Sequence, residues 1–294
     1  MSAIVTESSG VDGAMPAREF DFTTADFERV RRLIHQHAGI SLSPLKQNMV
    51  YSRLVRRLRA RNCTSFGIYL AQLERGDPAE MEVFVNALTT NLTAFFRESH
   101  HFEILSRHLE KIAGRASAAN PLRIWCSASS TGEEPYTLAI TACEALGTLT
   151  PPVQIIASDI DTNVLTTARQ GIYPLERVEK LSRERLRACF LKGTGAQAGQ
   201  ARVRPELQRL VTFTRVNLLD ERWPNIPSPL DVIFCRNVMI YFDKETQYRI
   251  LRKFAPLLRE DGLLFAGHSE SFMHAADLFH SLGRTVYELA KHKR

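Results

Sequence analysis

Residues 122–146 read LRIWCSASSTGEEPYTLAITACEAL. Leu122–Cys126 is an apolar run of strand length, Ser127–Gly132 a turn of small residues, and Glu133–Leu146 a helix-length stretch. A strand that turns tightly into a helix is the opening of a βαβ unit, and the chain repeats the pattern downstream. Val153–Ser158 is a second strand ending on Asp159, followed by a helix over Thr162–Gln170. Leu210–Val216 ends on Asn217. Asp231–Phe234, the most apolar strand, ends at Cys235-Arg236-Asn237. A helix over Lys244–Leu258 leads into strand Leu263–Ala266, and Thr285–Leu289 is the last strand signal. Strands alternating with helices predict an α/β fold with a doubly wound, mostly parallel sheet covered on both faces. One stretch, about 171–208, breaks the alternation. It is charged, punctuated by Gly193-Thr194-Gly195 and Gly199, and too long for an ordinary connection. It predicts a small antiparallel β insertion.

Upstream the texture is helical. Thr24 is the expected N-cap of a helix running through Phe27, Val30 and Ile34 to Gly39. A second helix follows Ser43-Pro44, a third covers Ser65–Arg75, and a fourth Ala79–Leu88. The expected organisation is a disordered leader at 1–17 and an all-α N-terminal domain at 18–90. An interdomain segment and linker follow at 91–120, then the α/β domain at 121–294.

Composition excludes several classes. With 44% hydrophobic and 24% charged residues among 294, the chain has material for packed cores and is not wholly disordered. No apolar run approaches the roughly 18–20 residues of a membrane span. The start lacks the basic-then-apolar pattern of a secretory leader. Five cysteines without repeating spacing point to reduced thiols and a cytoplasmic location. Cys126 and Cys235 fall on predicted buried strands, as inert apolar residues. The nine histidines show no metal-ligand spacing, so no metal is expected. His268 near a strand end reads as structural.

In open α/β sheets ligands lie beyond the carboxyl ends of the strands, here Ser127–Gly132, Asp159, Asn217 and Arg236-Asn237. The dinucleotide GxGxxG run is missing, and Glu133-Glu134 at a helix start would repel phosphate. Both observations count against a nicotinamide-dependent dehydrogenase. Two acids suit a cationic ligand, and Asp159 stands where a carboxylate accepts ribose hydroxyls. A nucleoside with a cationic group and no phosphates describes S-adenosylmethionine. A plainer account also stands at this point: Glu133-Glu134 favour the helix dipole and Asp159 caps a turn.

Five stretches, in order, resemble the CheR-type chemoreceptor glutamate O-methyltransferases. They are Leu88–Glu98 (LTTNLTAFFRE), Trp125–Tyr136 (WCSASSTGEEPY), Ala157–Asp161 (ASDID), Val216–Leu219 (VNLL) and Cys235–Phe242 (CRNVMIYF). The likeness runs from about residue 20 to the end. It departs at Ser127-Ala128-Ser129, where family members often carry Ala-Gly-Cys. The resemblance implies a class I S-adenosylmethionine-dependent methyltransferase fold and methylation of receptor glutamates, with S-adenosylhomocysteine as product. It implies that Asn91, Thr93 and Arg97 cover the cofactor, with Arg97 a partner for the methionine carboxylate. It further implies that Glu133 faces the amino group, Asp159 holds the ribose, and Asn217 with Leu218 frames the adenine. Arg236 and Asn237 would line the pocket floor, with Tyr241 beside the methyl. Arg97, Arg236 and Tyr241 are the expected catalytic residues, orienting the substrate carboxylate. A non-catalytic signalling module on this fold would have no need of Asp159, Arg97 and Asn217.

Between Lys46 and Arg61 lie six basic residues and no acid. Tyr51, Leu54, Val55 and Leu58 form one helical stripe, and Arg53, Arg56, Arg57, Arg59 and Arg61 fill the rest of the circumference. This is the expected docking face for an acidic partner. The resemblance names that partner as the glutamate-rich cytoplasmic helices of chemoreceptors, with no membrane insertion by this chain. Nucleic acid is the other acidic partner considered, and the segment lacks the interleaved aromatics that stack on bases. The resemblance adds a second contact, a receptor C-terminal peptide on the β insertion.

Overall fold

The computed structural model describes residues 18–291; the leader expected at 1–17 lies outside them. Four helices come first: α1 (Thr24–Ala38), α2 (Gln47–Ala60), α3 (Phe66–Glu74) and α4 (Pro78–Leu88). Their apolar stripes, including Val30, Ile34, Leu54, Leu58, Phe66 and Phe84, share one core. The cap of α1 is Thr23 rather than Thr24, because Thr23 and Asp26 exchange hydrogen bonds as a capping box. Gly39 ends the helix in the left-handed conformation. A single 3-10 turn, Pro44–Lys46, precedes α2.

The segment expected as a linker contains a further helix, α5 (His100–Ile112). Its face of Phe102, Leu105, Leu109 and Ile112 belongs to the α/β core. The small residues at 114–120 draw attention away from that amphipathic stripe, whose period is clear once His101 is counted as buried.

Strand β1 (Leu122–Cys126) sends Leu122, Ile124 and Cys126 to one face and Trp125 to the other. After α6 (Glu133–Leu146), strand β2 (Val153–Asp159) does the same with Ile155 and Ala157 against Ile156. Both faces are buried, so these strands read as continuous apolar runs. The chain continues through α7 (Thr162–Gln170) into the insertion: β3 (Ile172–Pro174), α8 (Leu175–Val178), α9 (Arg183–Cys189), β4 (Phe190–Lys192), β5 (Gln200–Val203) and α10 (Pro205–Gln208). Its three strands pair antiparallel in the order β3-β5-β4. Then come β6 (Val211–Arg215), β7 (Leu230–Cys235), α11 (Lys244–Phe254), β8 (Leu258–Ala266), β9 (Phe279–Gly283) and β10 (Val286–Leu289). Helix α11 stops four residues short of the expected Leu258, where Ala255–Leu257 tighten into a 3-10 turn containing Pro256. Strand β9 was not among the expected strands; it pairs with β10 through a short, irregular hairpin.

The large sheet has the order β6-β2-β1-β7-β8-β10-β9, with β6 to β8 parallel and the last two strands antiparallel. The chain winds from β1 to one side through β2 and to the other through β7. The crevice beyond their carboxyl ends is therefore the switch point at which such folds bind ligands.

Candidate active site

The turn after β1 is built for close approach. Gly132 has φ +101°, and a Cβ there would lie 2.6 Å from the Tyr173 hydroxyl and 2.9 Å from the Ala168 side chain, so only glycine fits. Ser130 also takes positive φ, as do Phe96, Glu98 and Asn237. Ser130 and Asn237 line the crevice, and Phe96 and Glu98 flank Arg97, which lines it too, a concentration of strain expected at functional sites.

The crevice holds a cavity of about 310 Å³, within the range of small-molecule sites. The strand ends contribute Ser127, Ala128, Asp159, Asn217, Leu218, Arg236 and Asn237. Thr89–Thr93 and Arg97 form a strap over it, and Tyr241 and Phe242 complete one wall. The N-terminal domain supplies another wall through Ala38, Ile40, Leu42, Lys46 and Met49, a contribution the sequence reading did not anticipate.

Asp159 is buried, yet it faces this cavity. Its carboxylate accepts the N–H of Ser130 at 2.8 Å and of Asp161 at 3.0 Å. Burial outweighs those bonds and pushes its pKa up to about 6. Asp161, two residues on, anchors the strap: it accepts from the Thr89 hydroxyl at 2.7 Å and the Asn91 amide at 2.9 Å, while capping α7. Asn91 is thus tied down by its side chain, and its carbonyl accepts from Ser130. Thr93 lines the cavity, and its carbonyl accepts from Arg177 of the insertion. The Arg97 guanidinium donates to the Leu92 carbonyl at 2.9 Å, folding the strap on itself.

Of the two acids at the start of α6, the structure brings Glu134 to the cavity and not Glu133, correcting the sequence assignment. Neighbours on a helix point about 100° apart, so only one can face the site. Glu133 turns instead to the Thr131 hydroxyl at 2.6 Å and Arg177 at 3.4 Å. Glu134 is 3.0 Å from Arg236, and burial raises its pKa against that cation.

Arg236 also departs from expectation. It is fully buried at its side chain, pairs with Glu134 and with Glu98 at 3.1 Å, donates to the Arg97 carbonyl, and lies against the Phe102 and Phe234 rings. A guanidinium so occupied is a clamp joining the strap, α6 and β7, rather than a free hand for a substrate carboxylate. At Glu98, burial pulls the pKa upward. Arg236, the His268 N–H and the Asn237 amide outweigh it and hold the carboxyl below its usual range. Asn217 lines the cavity, and its amide reaches across to the His37 carbonyl at 2.7 Å.

The basic helix α2 is less bare than its sequence suggests. Arg53 donates to the Thr89 carbonyl, Arg57 makes a two-pronged pair with the buried Glu80, and Arg59 pairs with Glu19. The neutralising acids come from other elements, so a charge count along one helix misses them. Of the four expected docking residues, Arg56 alone is exposed and without an ion pair or side-chain hydrogen bond among the described residues. Two contrasting variants follow. Arg57→Ala should cost about 2 kcal/mol in urea unfolding, since it strands a buried carboxylate. Arg56→Ala should stay within about 0.5 kcal/mol of the parent.

Among the described residues no group of three or more His, Cys, Asp or Glu comes together as a metal-holding cluster, and all five cysteines are free and buried. Among the described residues no helix is long and apolar enough to cross a membrane.

Comparison with known proteins matches two family models in tandem. One described as CheR methyltransferase, all-alpha domain, covers residues 25–89, and one described as CheR methyltransferase, SAM binding domain, covers 91–288. A Pseudomonas aeruginosa protein named chemotaxis protein methyltransferase 2 is 55% identical over 273 residues, spanning 93% of this chain and 96% of its own. The chemotaxis protein methyltransferase of Salmonella typhimurium is 53% identical over 92% of this chain and 91% of its own. The Klebsiella aerogenes chemotaxis protein methyltransferase is 50% identical over 99% of each. An α/β sheet with a small antiparallel insertion, an all-α domain closing over its switch point, and matches along nearly the whole length place the chain in the CheR methyltransferase family.

Proposed function

We propose that this protein transfers a methyl group from S-adenosylmethionine to glutamate side chains on the cytoplasmic helices of chemoreceptors. The products are glutamyl methyl esters and S-adenosylhomocysteine, and the setting is adaptation in chemosensory signalling. The observation that carries the reading is the pairing, in one cavity, of a buried ribose-suited carboxylate, Asp159, with a second acid, Glu134. Such a pair suits a nucleoside that bears a cation and no phosphates.

The residues present fit that cofactor. Asp159 would hold the ribose hydroxyls with lone pairs not spent on Ser130 and Asp161, and Val216 and Leu218 would flank the adenine. Glu134 takes over from Glu133 as partner of the amino group, and Arg97 matches the methionine carboxylate. The bound cofactor would supply an electrophilic methyl on a sulfonium. A glutamate carboxylate is ionised at neutral pH and is itself the nucleophile, so no general base is required. What the chain must do is orient and exclude water. Tyr241 and Arg97 stand at the cavity to align the incoming carboxylate. Arg236 and Asn237 act by fixing the floor beneath them.

Arg56 and Lys46, both exposed, offer positive charge to an acidic receptor helix, Lys46 directly at the cavity. The insertion's outer strands β3 and β4 leave edges on which a receptor C-terminal peptide could pair. The test is methyl incorporation into a receptor cytoplasmic fragment, with release of the label by mild base. Base-labile label is expected from the parent chain and a loss of about a hundredfold from Arg97→Ala. Base-stable label would indicate nitrogen methylation and overturn the substrate assignment.

A further inference from the structure

We propose that Glu270 is a positioning residue for methyl transfer, acting through the loop that carries Asn237 and Tyr241. The inference rests on the cofactor reading above. Glu270 follows β8 in the tight turn that begins at Gly267, and its side chain is buried at 5% exposure. Its carboxylate accepts the backbone N–H groups of Gly267, of Asn237 at 2.9 Å and of Ile240 at 3.3 Å. The Met239 N–H adds to these three, so its partners among the described residues are all backbone donors. A buried acid held by amides alone is costly, and burial raises its pKa despite them. Packing would be served as well by an apolar residue, so the carboxylate is explained by what it holds.

What it holds is the cavity wall. Asn237, Val238, Tyr241 and Phe242 all line the site, and Met239–Tyr241 is a 3-10 turn with no side-chain cap of its own. Glu270 serves as that cap from 30 residues downstream in sequence. From the other side, the buried Gln247 donates to the carbonyls of Met239 and Phe242 at 2.8 and 3.0 Å. One side chain thus takes N–H groups at Asn237 and Ile240, and another takes carbonyls at Met239 and Phe242. The conformation needs this hold, since Asn237 sits at φ +56°. Gly267 leaves it no slack: a Cβ there would lie 2.8 Å from the Asn237 nitrogen. Without the Glu270 charge the loop relaxes and Tyr241 leaves its place.

The test is a cycle of Glu270→Gln, Tyr241→Phe and the double variant, with Glu270→Asp as a second probe in case the amide unfolds the chain. Methyl transfer, receptor KM, S-adenosylhomocysteine binding by calorimetry and thermal unfolding are read on each. Glu270→Gln should lose about tenfold to a hundredfold in kcat, the scale of a misplaced reacting group, with receptor KM unchanged. The double variant should be no slower than the slower single. Full kcat in both Glu270 variants overturns the proposal, as does a double variant whose losses multiply. A fully active Tyr241→Phe overturns it too, while a base-labile ester and S-adenosylhomocysteine binding would leave the functional reading standing. If the parent forms no ester, the functional reading fails on its own. Glu270 is then judged by calorimetry, where unchanged binding in Glu270→Gln overturns the proposal.

Discussion

Asp159→Asn should weaken binding of S-adenosylhomocysteine by about a hundredfold to ten-thousandfold at pH 7.5, measured by calorimetry. Two charge-assisted hydrogen bonds, at about 1.5–3 kcal/mol each, set that scale. The carboxylate offers about four lone-pair sites, of which Ser130 and Asp161 take two. Ile160 lends a further backbone donor, and Asp159 lines the cavity, where a ligand would use what is left. Because burial pushes its pKa up to about 6, ligand affinity of the parent should fall about tenfold per pH unit below 6, as the acceptor becomes a carboxylic acid. Asp159→Asn should remove this component, leaving a shallower profile over the same window. The sign for folding runs the other way. The folded-state pKa lies above the ordinary 3.8, so the folded chain holds this proton longer than the unfolded one. That contribution to ligand-free stability is present below about pH 4 and is lost as pH rises through 6. An affinity that stays flat from pH 5 to 8 would remove Asp159 from the ligand site.

The main strands and helices of the α/β half were legible because their signals are local. The strand–turn–helix at 122–146 and the helix at 162–170 stand where the sequence puts them, since apolar runs and capping residues fix both ends. Helix α5 was lost behind a polar strap and a small-residue run, although its stripe of Phe102, Leu105, Leu109 and Ile112 has a regular helical period. The site was legible as a set of places rather than a set of contacts. Motif order brought Asn91, Asp159, Leu218 and Tyr241 to one cavity. Which of Glu133 and Glu134 faces it depends on helix phase relative to Arg177 and Arg236, partners 44 and 102 positions away in sequence. The same limit applies to α2. A run of arginines advertises a bare face, and only the fold reveals that Glu19 and Glu80 cover part of it. Glu98 closes the first motif and Glu270 lies outside all five, and neither carried a signal of its own beyond being an acid. Their roles come from backbone donors that a linear reading does not see.

Arg236→Met should destabilise the chain by about 3–5 kcal/mol in urea unfolding, the cost of breaking a buried ion pair from one side. The volume is nearly kept, so the loss is electrostatic: Glu98 and Glu134 remain, close together, without their cation. Arg236→Lys should recover only part of it, because a point charge cannot reach two carboxylates and the Arg97 carbonyl as a planar fork does. Neutralising the stranded acids is the decisive step. In an Arg236→Met background, Glu98→Gln and Glu134→Gln should each restore stability, though each is costly on its own. pH should do the same work. With Arg236 present, the lowered pKa of Glu98 gives stability above the ordinary carboxylate range that is lost as pH falls. With Arg236 gone, the His268 N–H and the Asn237 amide are left to oppose burial, so the Glu98 pKa rises, protonation relieves the variant, and the gap to the parent should narrow on going from pH 8 toward 5. A gap that stays constant over that range would mean Arg236 serves by packing against Phe102 and Phe234. The strap carrying Arg97 would then owe its position to something other than charge.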